Sequence, residues 1–172
     1  TPVQVNVAAG LSGTYTINAA LPTGGTNFNN FTAAAAALNC GIVAPVTINV
    51  VAGSGPYTDR FNLTNIGGSS ATNRVRINGN GETIQFNSTS TSDHRIVSLD
   101  GSKYVTINNL KIKTLNATYG WGIHIGNNAE KDSIINCQID LGTITGTSSV
   151  NASGIVLSGS ATSTTTASTA KN

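Results

Sequence analysis

The chain is expected to be all-β, a solenoid of parallel strands stacked turn upon turn and closed at one end by a single helix. Three observations predict this. The string Val-x-Ile-Asn occurs at Val46-Thr47-Ile48-Asn49, Val75-Arg76-Ile77-Asn78 and Val105-Thr106-Ile107-Asn108, so the copies begin 29 and then 30 residues apart. A period of about 20–50 residues marks stacked structural units. Each copy alternates apolar with polar residues, which reads as a strand with one buried face. The third observation is compositional: only 9% of the 172 residues are charged, yet the chain is rich in Val, Ile and Thr, which disordered chains lack.

At this length the chain is expected to form one domain, residues 1–172, with a sizeable core. The formal net charge is +2 and its Lys and Arg are scattered, so no nucleic-acid footprint is expected. No apolar stretch approaches the roughly 20 residues of a membrane span. Two cysteines, Cys40 and Cys137, make no disulfide framework and read as buried free thiols. Thr1-Pro2-Val3 looks like a processed start, and the charge-poor, Asn/Thr/Ser/Gly surface points to a secreted or cell-surface chain.

Tyr15-Thr16-Ile17 reads as a short strand, and Leu21 to Gly25 as a turn. Phe28, Phe31, Ala34, Ala35 and Leu38 then fall on one helical stripe, and Ala33 to Ala37 have the best helix propensity. A helix is therefore expected around residues 28–39, capped by Thr26 or Asn27 and stopped by Gly41. Its role is to cover the apolar end of the stack and blunt the edge of the first coil. Coils are expected from about residue 44.

Val105 to Lys113 aligns with Asp132 to Asp140 at a shift of 27 residues. Ile107 then matches Ile134, Leu110 matches Cys137 and Ile112 matches Ile139, all pointing inward. Asn109 matches Asn136 where the strand bends, and stacked asparagines there are expected to form a ladder along the axis. Lys113 and Asp140 fall outward on adjacent coils, about 4.8 Å apart, and are expected to pair. A third strand per coil appears in Val97-Ser98-Leu99, Ile123-His124-Ile125 and Ile155-Val156-Leu157. Variable segments at 87–92, 114–120 and 142–153 precede these strands. The tail from Ser158 to Ala170 is either a flexible linker or one more variable loop.

Three runs carry a resemblance: Tyr104-Val-Thr-Ile-Asn-Asn-Leu-Lys-Ile112, Gly122-Ile-His-Ile-Gly-Asn-Asn128 and Ser133-Ile-Ile-Asn-Cys-Gln-Ile139. Together they resemble the right-handed parallel β-helix proteins, the pectin-lyase-like superfamily. Residues 27–41 followed by Pro45-Val-Thr-Ile-Asn49 are similar to the opening of large secreted β-helix proteins of Bacteroidota, many of them type IX secretion cargo. The resemblance implies a single-stranded right-handed parallel β-helix and a place in the N-terminal part of a longer one. It decides no activity, because this fold serves enzymes and adhesins alike.

The resemblance also implies what an enzyme would show: clustered acids holding Ca²⁺ beside a basic residue, or two or three Asp on one face. The acids here are Asp59, Glu82, Asp93, Asp100, Glu130, Asp132 and Asp140. They read as turn and loop residues with local partners, and Ca²⁺ takes about six to eight oxygen ligands. No catalytic residue, metal ligand or cofactor is therefore nominated. His124 reads as a solvent-facing strand residue. Tyr119 and Trp121 are candidates for stacking on a sugar, with packing of the loop as the plainer role. Tyr57, Asp59 and Arg60 make a second candidate loop contact. Asp132-Ser133-Ile134 resembles a Bacteroidota O-glycosylation signal, placing a sugar on Ser133. Sequons at Asn30, Asn62, Asn87, Asn116 and Asn151 are what chance delivers in such a composition.

The expected function is a non-catalytic structural or adhesive segment of a secreted or surface protein. Its C-terminal end is expected to meet more chain or another molecule, and its loops to meet glycans. The alternatives are the N-terminal part of a polysaccharide lyase or glycoside hydrolase, or a carbohydrate-binding β-helix.

Overall fold

The computed structural model describes residues 10–171; the start at Thr1-Pro2-Val3 lies outside the described residues. Strands β1 (Leu11–Ile17) and β2 (Asn27–Phe28) precede helix α1 (Phe31–Asn39). The first triplet of strands is β3 (Ile42–Val50), β4 (Tyr57–Thr58) and β5 (Phe61–Leu63). Next come β6 (Val75–Asn78), β7 (Thr83–Phe86) and β8 (Arg95–Asp100), then β9 (Val105–Asn108), β10 (Lys111–Thr114) and β11 (Gly120–Gly126). The last triplet is β12 (Ser133–Ile135), β13 (Gln138–Asp140) and β14 (Ala152–Leu157). The sheets run β12-β9-β6-β3-β1-β2, β13-β10-β7-β4 and β14-β11-β8-β5, and every pairing between named strands is parallel. The protein is a parallel β-solenoid with three strands per turn. We call the three sheets A, B and C in that order.

The three Val-x-Ile-Asn copies stack residue on residue: Val46 on Val75 on Val105, and Ile48 on Ile77 on Ile107. All six side chains are buried, because an in-register parallel stack sends each column to one face. The stack begins earlier than residue 44. β1 pairs in parallel with β3, setting Tyr15 beside Ile48 and Ile17 beside Val50.

Asn80, Asn109 and Asn136 turn the corner from sheet A to sheet B with φ of 52°, 53° and 53°. Asn tolerates this left-handed conformation better than other residues with a Cβ. The Asn109 N–H donates to the Ile135 carbonyl at 2.9 Å, and the Asn136 amide reaches Asn108 Oδ1 at 3.3 Å. A second asparagine column closes each repeat. Asn49, Asn78 and Asn108 are in register on the outer face, with Asn78 Nδ2 donating to Asn49 Oδ1 at 2.7 Å. Lys113 and Asp140 pair across coils at 3.5 Å, both well exposed, so the pair adds at most about 1 kcal/mol.

The helix starts three residues later than its apolar stripe suggests. Phe28 is buried from strand β2, and the cap is Asn30, whose side chain accepts from the Ala33 N–H at 2.8 Å. Asn27 instead spends its amide on the carbonyls of Asn18, Leu21 and Pro22. Phe31 packs edge-on against Tyr57 and Phe61, with ring centroids 5.2 and 5.4 Å away. Asn39 then imitates a strand. Its amide donates to the Asn62 carbonyl at 3.1 Å, and its oxygen accepts from the Thr64 N–H at 3.0 Å. Both groups lie along the β5 edge, so one side chain satisfies a backbone that no strand meets. Both thiols are free: Cys137 is half-buried, and Cys40 at the helix end is exposed rather than buried.

Candidate functional site

The residues with the most chemical potential gather on the outer face of sheet C. Ser98 stacks on His124, and His124 on Val156, in one outward column. Trp121 is the next outward residue toward the strand start, and His94 immediately precedes β8. The His94 and Trp121 rings stack at 4.0 Å and 29°, and the His124 ring lies 5.6 Å from the indole. His124 is not solvent-facing. His94 and Trp121 are 0% exposed and His124 is 1% exposed, because the segment after β14 folds back over the imidazoles and the loop before β14 meets the indole.

That segment meets both imidazoles with backbone carbonyls: His94 Nε2 lies 3.2 Å from the Ala161 oxygen, and His124 Nε2 3.0 Å from the Ser158 oxygen. The Ser158–Ala170 tail is thus a packed loop, and Ser158 itself is fully buried. Carbonyl partners make Nε2 the protonated nitrogen of each neutral ring. His124 Nδ1 then faces the Ser98 hydroxyl at 3.4 Å, while His94 Nδ1 is buried without a hydrogen-bond partner. Burial pushes His94 below its ordinary value, with Arg95 adding to the effect and the Ala161 and Asn151 carbonyls and Asp93 opposing it. Burial likewise lowers His124, helped by Arg95 and opposed by the Ser158 carbonyl, Asp100 and the Ser160 backbone. Ser98 and His124 form a serine–imidazole pair, but both are sealed from solvent and the contact is long for a hydroxyl donor.

Trp121 offers no ring face to a ligand in this conformation. Its indole N–H donates to the Val150 carbonyl at 3.1 Å, and its rings lie between histidine and loop. Tyr119 is half-buried, its backbone held by Thr114 and Asn116. The indole of Trp121 thus seats a loop. Tyr57 is also core, with its hydroxyl on the Ile17 carbonyl at 3.1 Å, while Arg60 lies over the Phe86 ring at 4.8 Å.

The seven carboxylates are distributed, and each binds groups of its own chain. Asp59 accepts from the Thr32 and Arg60 N–H groups, Glu82 from Gly53 and Gly55, and Asp93 from Thr89 and Ser90. Asp100 accepts from Asn127, Glu130 from Lys103, and Asp140 from the Gly142 N–H. Several of these contacts fasten one coil to the next. Asp132 is the least expected. It directly precedes Ser133, which pairs with Thr106, so it continues the column of Val46, Val75 and Val105. Its oxygens accept from the Val105 N–H at 2.9 Å and the Ser102 hydroxyl at 2.7 Å. Burial raises its carboxyl above the ordinary value, and those two donors oppose the rise. Its neighbour Ser133 faces outward, half-buried.

Among the described residues, no group of three or more His, Cys, Asp or Glu is placed to hold a metal ion, and no helix is long and apolar enough to cross a membrane. Fold and site define the class of protein: a parallel β-solenoid whose polar chemistry is turned inward upon itself. Comparison with protein-family models, curated proteins and solved structures finds no match.

Proposed function

We propose that this solenoid is an architectural segment of a secreted or cell-surface protein, a stalk, adhesin or fibre element of the pectin-lyase-like kind. The observation that carries this reading is its uncovered last coil. Ile155 and Leu157 are 53% and 57% exposed, although their partners one coil below, Ile123 and Ile125, are 0% and 7% exposed. These columns are shaped to receive another rung of the same kind, at about 25 cal/mol for each Å² of apolar surface covered. Lys171 is already placed for one, bridging in parallel to Glu130 above Lys103. The dispersed, internally satisfied carboxylates support a non-catalytic role.

Light scattering on the chain over a wide concentration range tests this. Association is expected, and Ile155→Asp with Leu157→Asp is expected to abolish it; a strictly monomeric chain at every concentration counts against the proposal. Incubation with pectins, alginate and other acidic glycans is expected to release no unsaturated or reducing ends. Release that disappears with Arg95→Ala would replace the architectural reading with a catalytic one.

A further inference from the structure

The loop over sheet C is fastened in an unusual way. Residues 158–170 contain only Ser, Thr, Ala and Gly. They carry no large apolar side chain to hold them down and no carboxylate of their own. At one end the Ser158 N–H donates to the Ile125 carbonyl, and at the other the Lys171 N–H donates to the Ala129 carbonyl. Thr169 also accepts from the Asn128 N–H at 3.1 Å. Between these anchors the loop is tied mostly to itself, through hydroxyls that accept from N–H groups two residues on: Ser160 from Thr162, Ser163 from Thr165 and Ser168 from Ala170. It meets the body through the Ala161 carbonyl on His94 and the Ser158 carbonyl on His124.

We propose that residues 158–170 form an acid-released clasp, closed while His94 and His124 are neutral and open once the imidazoles are protonated. The reason lies in what surrounds the rings. A second proton places a full positive charge on each buried ring, within reach of the Arg95 guanidinium. The nearest acids, Asp93 for His94 and Asp100 for His124, offset part of that charge, but burial is the larger effect on both rings. The clasp supplies no charge to offset the new ones. Hydration of the two imidazolium rings is regained by lifting the loop, which leaves β11 and its core contacts in place. Opening costs little elsewhere, because loops with few apolar contacts belong to the low-stability end of a fold.

The sign follows from linkage. The open state exposes the rings and binds protons at the ordinary histidine value, whereas burial lowers that value in the closed state. The closed state is therefore favoured above about pH 6.5 and loses ground as pH falls, by up to tenfold per pH unit for each imidazole. His94 stacks on Trp121 at 4.0 Å, the only tryptophan in the chain, so the molecule carries its own reporter of that ring.

Native-state hydrogen exchange between pH 7.5 and 5.0, corrected for intrinsic rates, tests the proposal on the wild-type chain. Protection of the Gly159 and Lys171 amides is expected to fall with pH, with the Trp121 emission changing at the same midpoint as the stacked His94 ring is protonated. Protection at Ile123 and Ile125 in β11 is expected to hold. Unchanged protection across 158–171 overturns the clasp, and so does loss of protection there together with β11, which means global acid unfolding. His94→Gln and His124→Gln are each expected to halve the slope of the pH dependence. A folded variant with the full slope also overturns the proposal.

Discussion

The first and last described coils of this solenoid leave their apolar columns in different states. At the lower end, sheet C stops at β5, and helix α1 occupies the place of the next rung. Phe31 fills the space beneath Tyr57 and Phe61, while Asn39 supplies the donor and acceptor that a strand would have offered. At the upper end, sheet C stops at β14 with its apolar residues in solvent. Leu63 and Leu157 make the contrast quantitative. They belong to one inward column, linked through Leu99 and Ile125, yet Leu63 is 0% exposed and Leu157 is 57% exposed. A residue's place in a column says which way it points; only its neighbours along the axis say whether it is buried.

The comparison can be broken most forcefully at Phe31. Truncation to Ala removes the plug of the closed end and is expected to cost about 3–5 kcal/mol in urea unfolding. A loss below 1 kcal/mol would show that the helix is not what holds that end. Leu63→Ala and Leu157→Ala form the next test. The first is expected to cost about 2–5 kcal/mol, and the second about 0.5 kcal/mol or less, as for other surface changes. Equal effects would mean that the upper end is covered in solution.

Asn39→Ala should fall between these, at about 1–3 kcal/mol, because it orphans the Asn62 carbonyl and the Thr64 N–H together. Hydrogen exchange at Thr64 reads that loss directly. The smallest effect concerns the upper coil and depends on pH. Burial raises the Asp132 carboxyl, so its protonated form suits the fold better than the unfolded chain does. The resulting stability is present below the unfolded value near 3.8 and is lost as pH rises through the folded value. Asp132→Asn, always neutral, is therefore expected to be more stable than wild type at pH 7, with the advantage disappearing toward pH 3. An advantage independent of pH would remove burial of charge as its cause.

Much of this fold was legible in the chain. The Val-x-Ile-Asn spacing predicted the register that Val46, Val75 and Val105 adopt, because stacking like on like keeps all three on the buried face, whereas a one-residue slip would turn them outward. The alignment of Lys113 with Asp140 predicted their ion pair for the same reason. Signals that pointed to the rest were present but carried no direction. Asp132 stands opposite Val105 in the repeat alignment, an acid where an apolar residue belongs, and the donors that explain it came from the preceding coil. The helix start was misplaced because Phe28 suits an apolar stripe whether its backbone is helix or strand; the amide bonds of Asn27 made it strand.

The outer face of sheet C was the least legible. His124 alternates with Ile123 and Ile125, which correctly places it outward, and outward ordinarily means solvent. Its burial depends on a loop of Ser, Thr, Ala and Gly whose path no periodicity encodes, since it is held by backbone carbonyls rather than side chains. The sequence by itself thus determined the solenoid, its columns and their inward parity, because these follow from local alternation repeated at a constant period. Tertiary structure alone decided which columns end in solvent, which acids fasten coils together, and that two histidines lie beneath a polar loop with a tryptophan stacked on one of them. Those outcomes depend on contacts between residues up to 67 positions apart, as His94 and Ala161 are, and no local pattern carries them.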